Sequence, residues 1–183
     1  GDDLAGRLVD VGVYFFGQKK VAEEGPQHRT SKHHLIIFWG FLIITIATAD
    51  TVVWSAIPGL SLRLLPDLLY LPLYAVIDVF NVLVLAMIVW AIIRRTIVKP
   101  RLIPMNLDAG LILGAIGALM VTHFLMHAYE FAGSGHGTWW MPISNAIAQP
   151  LAGISPAAAE RGATVPYWLH VLVLLSFLNY LPY

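Results

Sequence analysis

The chain has 183 residues, of which 58% are hydrophobic and 12% charged, and its formal net charge is zero. A soluble domain is usually about a quarter charged, so composition alone marks a membrane protein, and nothing in the charge balance suggests a nucleic-acid surface. Cysteine is absent, which excludes disulfides, thiolate-held zinc and iron–sulfur ligation within these residues and leaves imidazole as the strong transition-metal ligand.

The ends read as cuts in a longer polypeptide. Gly1, Asp2 and Asp3 open the chain without a methionine or signal pattern, and it stops at Tyr183 when its last helix has barely reached the roughly 20 residues a bilayer needs. Residues 1–32 are expected to form one unit. Leu4, Leu8, Val11 and Phe15 make an apolar stripe with Arg7 and Asp10 between them, as in a helix lying on a membrane surface. Gly17 ends it, and a basic linker follows from Gln18 to Lys32.

Residues 33–183 are expected to form an all-α transmembrane bundle of four spans. The first runs over about 33–54 and the second over about 71–93, with a short amphipathic piece, Leu60 to Leu69, between them. The third covers about 105–131, and its Gly110, Gly114 and Gly117 offer a face for close helix approach. The connection from Ala132 to Thr164 is expected to lie over the membrane surface. The fourth span covers about 165–183, with Pro166 in its first turn and Tyr167 and Trp168 at the lipid–water boundary.

Eight of the eleven Lys and Arg (Lys19, Lys20, Arg29, Lys32, Arg94, Arg95, Lys99 and Arg101) fall on one side of these spans. The positive-inside rule makes that side cytoplasmic and puts residue 1 there. At about 1.5 Å per residue, His34 then sits at the inner mouth of span one. Asp50, Asp78, Asn81, His123, His127 and His170 gather toward the outer ends of their helices.

An imidazole inside a bilayer needs a partner or a metal. Two neutral imidazoles at one depth on different helices are what a b-type haem requires, and a four-helix bundle can hold a flat cofactor between facing helices. His170 is expected to be one ligand, with His123 the first choice for its partner and His127 the second. Plainer readings stand beside these. His34 can be polar edging, His33 a headgroup contact and Glu130 an interface charge. Asp50 can bond to a neighbouring backbone. Asp78 and Asn81 can be a structural pair or handle protons. His28 and His136 lie in loops and receive no role.

Gly17-Gln18-Lys19-Lys20-Val21, then His34-Leu35-Ile36-Ile37-Phe38-Trp39-Gly40-Phe41, resembles the entry to the haem-bearing span of membrane-anchored iron–sulfur oxidoreductases. Arg94-Arg95 with Pro100-Arg101-Leu102 is similar, and Trp168-Leu169-His170 with Phe177-Leu178-Asn179-Tyr180-Leu181-Pro182-Tyr183 is the most specific match. That family joins a domain like the gamma subunit of respiratory nitrate reductase to a cysteine-rich domain like heterodisulfide reductase. It includes prokaryotic electron-transfer-flavoprotein:quinone oxidoreductases. The resemblance implies a five-span cytochrome b whose first span precedes Gly1, with one or two b-type haems. In it His34 matches an inner ligand whose partner would lie past Tyr183, and His170 matches the outer ligand. The outer partner's usual position, ten residues after His34, is Ile44 here, so His123 or His127 would have to substitute.

The expectation is a multi-pass protein of the prokaryotic plasma membrane. It would pass electrons between the quinone or menaquinone pool and an iron–sulfur domain or subunit at the cytoplasmic face. The iron–sulfur clusters would lie outside these residues. Quinone would dock near the outer cluster, where Asp50, Asp78 and His127 could exchange protons, or beside the inner haem. The rivals are a proton or ion transporter using the buried Asp and His groups, and a haem-free anchor subunit.

Overall fold

The structure, a computed structural model, describes residues 3–17, 19, 31–57, 59–99, 104–135 and 137–180; the side chains of 31–34 and 54–56 are not among what it describes. Helix α1, Leu4–Asp10, starts at Asp3, whose carboxylate accepts the Gly6 N–H at 2.9 Å, and continues as a wide π turn, Val11–Phe16. Its stripe of Leu4, Leu8, Val11 and Phe15 is exposed. Phe15 and Phe16 meet the rings of Phe38 and Trp39, which ties this segment to the next helix. Most of the basic linker, and with it His28, lies outside the described residues, as do His136 and the terminal Leu181-Pro182-Tyr183.

Four long helices follow: α2, Ser31–Ala56; α3, Asp67–Ile93; α4, Leu107–Ser134; and, after the short α5, Pro142–Ala148, the last, α6, Pro156–Tyr180. These four are long and apolar enough to cross a membrane, so this is a multi-pass helical protein. The outward faces are apolar too: Val79, Leu83, Val89, Leu172, Leu175 and Leu178 are all exposed. Such a surface suits lipid, not water. We call the end carrying residues 57–66 and 135–155 the upper end, and the end carrying the Arg94–Val98 turn the lower end.

Several boundaries differ from expectation. The helix that carries the fourth span begins at Pro156, nine residues before Val165. Ser155 opens it, its hydroxyl accepting the Ala158 N–H at 3.2 Å, and Pro156 takes the first position, where a missing N–H costs nothing. Pro166 therefore lies inside the helix. Within the amphipathic piece expected between α2 and α3 there is a single 3-10 turn, Leu62–Leu64, and from Asp67 on it belongs to α3. The connection after α4 folds down as α5 against α3 and α4. Gly110, Gly114 and Gly117 do not make the tightest contacts: Gly114 faces open space and Gly117 meets Ile88 only at ordinary distance. Close approach occurs instead at Gly40 against Val84, Gly133 against Ala159 and Gly162 against the Tyr129 ring, where added Cβ atoms would collide.

The core has two parts. In the lower half Ile44, Val84, Ile88, Leu113, Leu119 and Met120 pack together. Ile44, where the resemblance looks for a haem ligand, is a packing residue here. In the upper half Ala47, Tyr74, Ile77 and Met141 form a smaller cluster, beside the buried polar groups.

Candidate functional site

The polar side chains singled out in the sequence meet in the upper half, but in different roles. Asp78 is fully buried. Its Oδ2 accepts the Ile143 N–H at 2.8 Å, and its Oδ1 accepts the Ser144 N–H at 3.2 Å and hydroxyl at 2.6 Å. Those N–H groups belong to the first turn of α5, where the helix itself offers them no acceptor, and the carboxylate suits the positive end of the helix dipole. Asp78 is thus a staple for the upper connection, and its oxygens are taken up there. Asn81 is not its partner: the Asn81 amide donates to the Met120 carbonyl at 3.0 Å.

Asp50 plays a similar part on α2. It accepts from the Ser61 hydroxyl at 3.1 Å, the Leu62 N–H at 2.6 Å and the Tyr74 hydroxyl at 2.9 Å, so it bonds to loop backbone and to α3. Glu130 is more than an edge charge. It pairs with Arg63 of the 3-10 turn and with His127 Nδ1, the latter at 3.4 Å. Arg63 lies outside the spans; burial works against its charge, but Glu130 outweighs that and holds its pKa above the ordinary arginine value.

His170, 1% exposed, is set between two threonines. Its Nδ1 lies 2.9 Å from the Thr122 hydroxyl, and its Nε2 lies 3.5 Å from that of Thr48. The Thr122 hydroxyl proton is spent on the Ala118 carbonyl at 2.8 Å, so that oxygen accepts, and the network assigns the proton of His170 to Nδ1. Nε2 is left as a lone pair with one long contact. His123 follows Thr122 on α4 and is 2% exposed; its Nε2 is buried without a hydrogen-bond partner. Its ring stacks edge-on with His127 at 4.7 Å between centroids.

A b-type haem is held by imidazoles of this kind. Two buried imidazoles come from α4 and α6, and neither Nε2 is committed to a strong bond. His170 has its far nitrogen anchored, as metal-bound imidazoles do. Among the described residues, no three His, Asp or Glu side chains group to hold a bare metal ion; a haem asks the protein for two axial ligands only. The side chains of His33 and His34 lie outside the described residues, so the inner-ligand expectation has no geometry to compare.

A cavity of ≈ 520 Å³ reaches from the upper end down to His123. Asp50, Arg63, Tyr74, His127 and Glu130 give it a polar side; Ala47, Met126, Ala159, Ala163 and Tyr167 give it an apolar one. His170 and Asp78 are not in its wall. A second cavity of ≈ 300 Å³ shares Arg63, Tyr74, His127 and Glu130 with the first and adds Asp67, Tyr70 and Trp140. Sequence reasoning missed Thr48, Thr122, Arg63 and Tyr74.

Over 177 residues the chain is 32% identical to a probable iron–sulfur-binding oxidoreductase, FadF, of Bacillus subtilis (strain 168). The chain is related to an iron–sulfur oxidoreductase. The match takes in 96% of this chain but 24% of the relative, so the chain spans about a quarter of that protein's length. No protein-family profile matches, and no solved structure does.

Proposed function

We propose that the chain is the membrane cytochrome b module of an iron–sulfur oxidoreductase, built like the nitrate reductase gamma subunit. It exchanges electrons between the quinone or menaquinone pool and an iron–sulfur domain or partner. The relative's name supports the iron–sulfur link. The observation that carries the redox reading is the pair of buried imidazoles, His123 and His170, with Nε2 atoms free of strong hydrogen bonds.

In this reading His123 and His170 would hold one b-type haem and His34 would help to hold a second, nearer the lower end. When bound, haem supplies one-electron chemistry that the side chains here lack. Thr122 fixes the tautomer and direction of the His170 ring. The apolar helices around His170 leave it only 1% exposed. His127 borders the cavity and is the group able to meet a quinone and its protons; Asp50, beside it, and Asp78 are left with their anchoring tasks. Arg94, Arg95 and Lys99 support a cytoplasmic lower end by the positive-inside rule, in a prokaryotic plasma membrane, where an iron–sulfur partner would dock.

The reduced-minus-oxidised visible spectrum of the purified protein tests this. A b-type α band is expected, with one haem lost on His170→Ala or His123→Ala and the other on His34→Ala. A wild-type protein without that band, or variants that keep full haem stoichiometry, would overturn the reading. One observation favours a haem-free proton relay instead: His123, His127 and Glu130 stand on one face of α4, and side-chain exposure rises from 2% through 13% to 39% along it. The same spectrum separates the two.

A further inference from the structure

We propose that the lower end of α3 binds the headgroup of an acidic phospholipid, held by Arg94, Arg95 and Lys99, with the outer face of α3 taking an acyl chain. The site needs neither haem nor quinone. Arg94–Val98 is a wide π turn, and the Lys99 N–H closes it on the Arg94 carbonyl at 3.0 Å. That bond sets Lys99 one turn beyond Arg94, so three cations share a single turn. Among the described residues none of the three makes an ion pair, and Asp108, at the foot of α4, is engaged by the Tyr180 hydroxyl. Basic side chains near a helix C-terminus often cap its last carbonyls. Here the Thr96 hydroxyl takes the Ile92 carbonyl at 2.7 Å, and the Lys99 N–H takes that of Arg94. Lys99 also has a φ of 50°, the one left-handed non-glycine among the described residues. Glycine would sit there at less cost, so what the position gains from lysine is its charge.

Depth and surface decide what that charge meets. From Asp67 to Arg94 the helix rises about 40 Å, the thickness of a bilayer counted with its headgroups, roughly 40–45 Å. The cations therefore stand at the level of the lipid phosphates. Leading down to them, Val79, Leu83, Ala86, Trp90, Ile93 and Ile97 recur at alternating steps of four and three, and all are exposed. An unbroken apolar stripe on one helical face thus ends among the three charges. A free phosphate would leave that stripe bare, and an acidic protein face would set carboxylates against it. A phospholipid covers both parts, phosphate on the cations and chain on the stripe. Basic residues at a membrane surface add about fivefold each to the binding of an anionic lipid.

The test is native mass spectrometry of the protein released from nanodiscs that contain phosphatidylglycerol and phosphatidylcholine in equal amounts. Phosphatidylglycerol should be retained on the order of a hundredfold more strongly at low salt, and less so as salt is raised. Arg94→Gln, Arg95→Gln and Lys99→Gly should each cut that preference about fivefold. Lys99→Gly should meanwhile unfold at the wild-type temperature or above it in neutral micelles, because it relieves the backbone; its loss of lipid is then not misfolding. Arg161→Gln, which removes one charge at the upper end, should leave the preference unchanged. Equal retention of the two lipids leaves the patch to an acidic partner surface and overturns the inference. So does displacement by inorganic phosphate alone, a preference indifferent to the three substitutions, or one that falls equally in Arg161→Gln.

Discussion

In the lower half of the bundle Ile44, Val84, Ile88 and Leu113 interlock without a polar atom among their side chains, whereas the upper half buries Asp78, Asn81, His123 and His170. Surrounding lipid is as apolar as leucine, so the lower contacts owe their strength to shape and dispersion rather than to escape from water. The upper contacts are directional. Each buried oxygen or nitrogen there must find a partner or remain a cost. The lower half can therefore tolerate change in proportion to volume, while the upper half should respond to the loss of single atoms.

Asp78→Ala should have the largest effect. It strips acceptors from two α5 N–H groups and the Ser144 hydroxyl in a fully buried place, and we expect a loss of about 3 kcal/mol, read by reversible unfolding in mixed micelles. A change under about 1 kcal/mol would remove the contrast between the halves. Ile88→Ala probes the other half in the same assay. It should cost about 2 kcal/mol through the void it leaves, whereas Ile88→Leu, which keeps the volume, should cost much less. Thr122→Val is next, at about 1 kcal/mol, because the His170 N–H loses its Thr122 acceptor and keeps only the Leu119 carbonyl, while side-chain volume is kept. Nitrogen-15 NMR of the labelled ring should then show a weaker preference for the Nδ1–H tautomer. Arg63→Ala should matter least to stability. The Arg63 and Glu130 side chains are 57% and 39% exposed, and such pairs contribute about 0–1 kcal/mol; any effect should fade as salt is raised.

The four spans are legible in the sequence because an uninterrupted apolar run of bilayer length is rare anywhere except across a membrane. The histidines stand out for a related reason, since a group that can ionise is uncommon in such a run. What the sequence conceals is partnership. Thr122 reads as an ordinary helical threonine bonding back to Ala118, and it does so; only the packing of α6 reveals that the same oxygen also receives His170. Asp78 reads as either half of a structural pair with Asn81 or a group that handles protons, because the N-terminus of α5, 65 residues away, is invisible from its own helix. Hydropathy misplaces the start of α6. Ser155-Pro156 followed by three alanines carries a capping signal and strong helix formers, but Glu160 and Arg161 lower the apolar score, and Pro166 then draws attention as a false start.

Pro72 and Pro166 both lie inside long helices, and neither has an N–H to offer the carbonyl four residues before it, at Leu68 and Gly162 respectively. A carbonyl set loose among acyl chains is expensive unless a neighbour satisfies it, so a hydrocarbon edge just below both oxygens suits this fold. From Gly162 to Tyr180 the helix rises about 27 Å, close to the roughly 30 Å thickness of the oily layer. The protein would then float with the Ser61–Arg63 turn and α5 among hydrated headgroups and His170 submerged about two turns beneath.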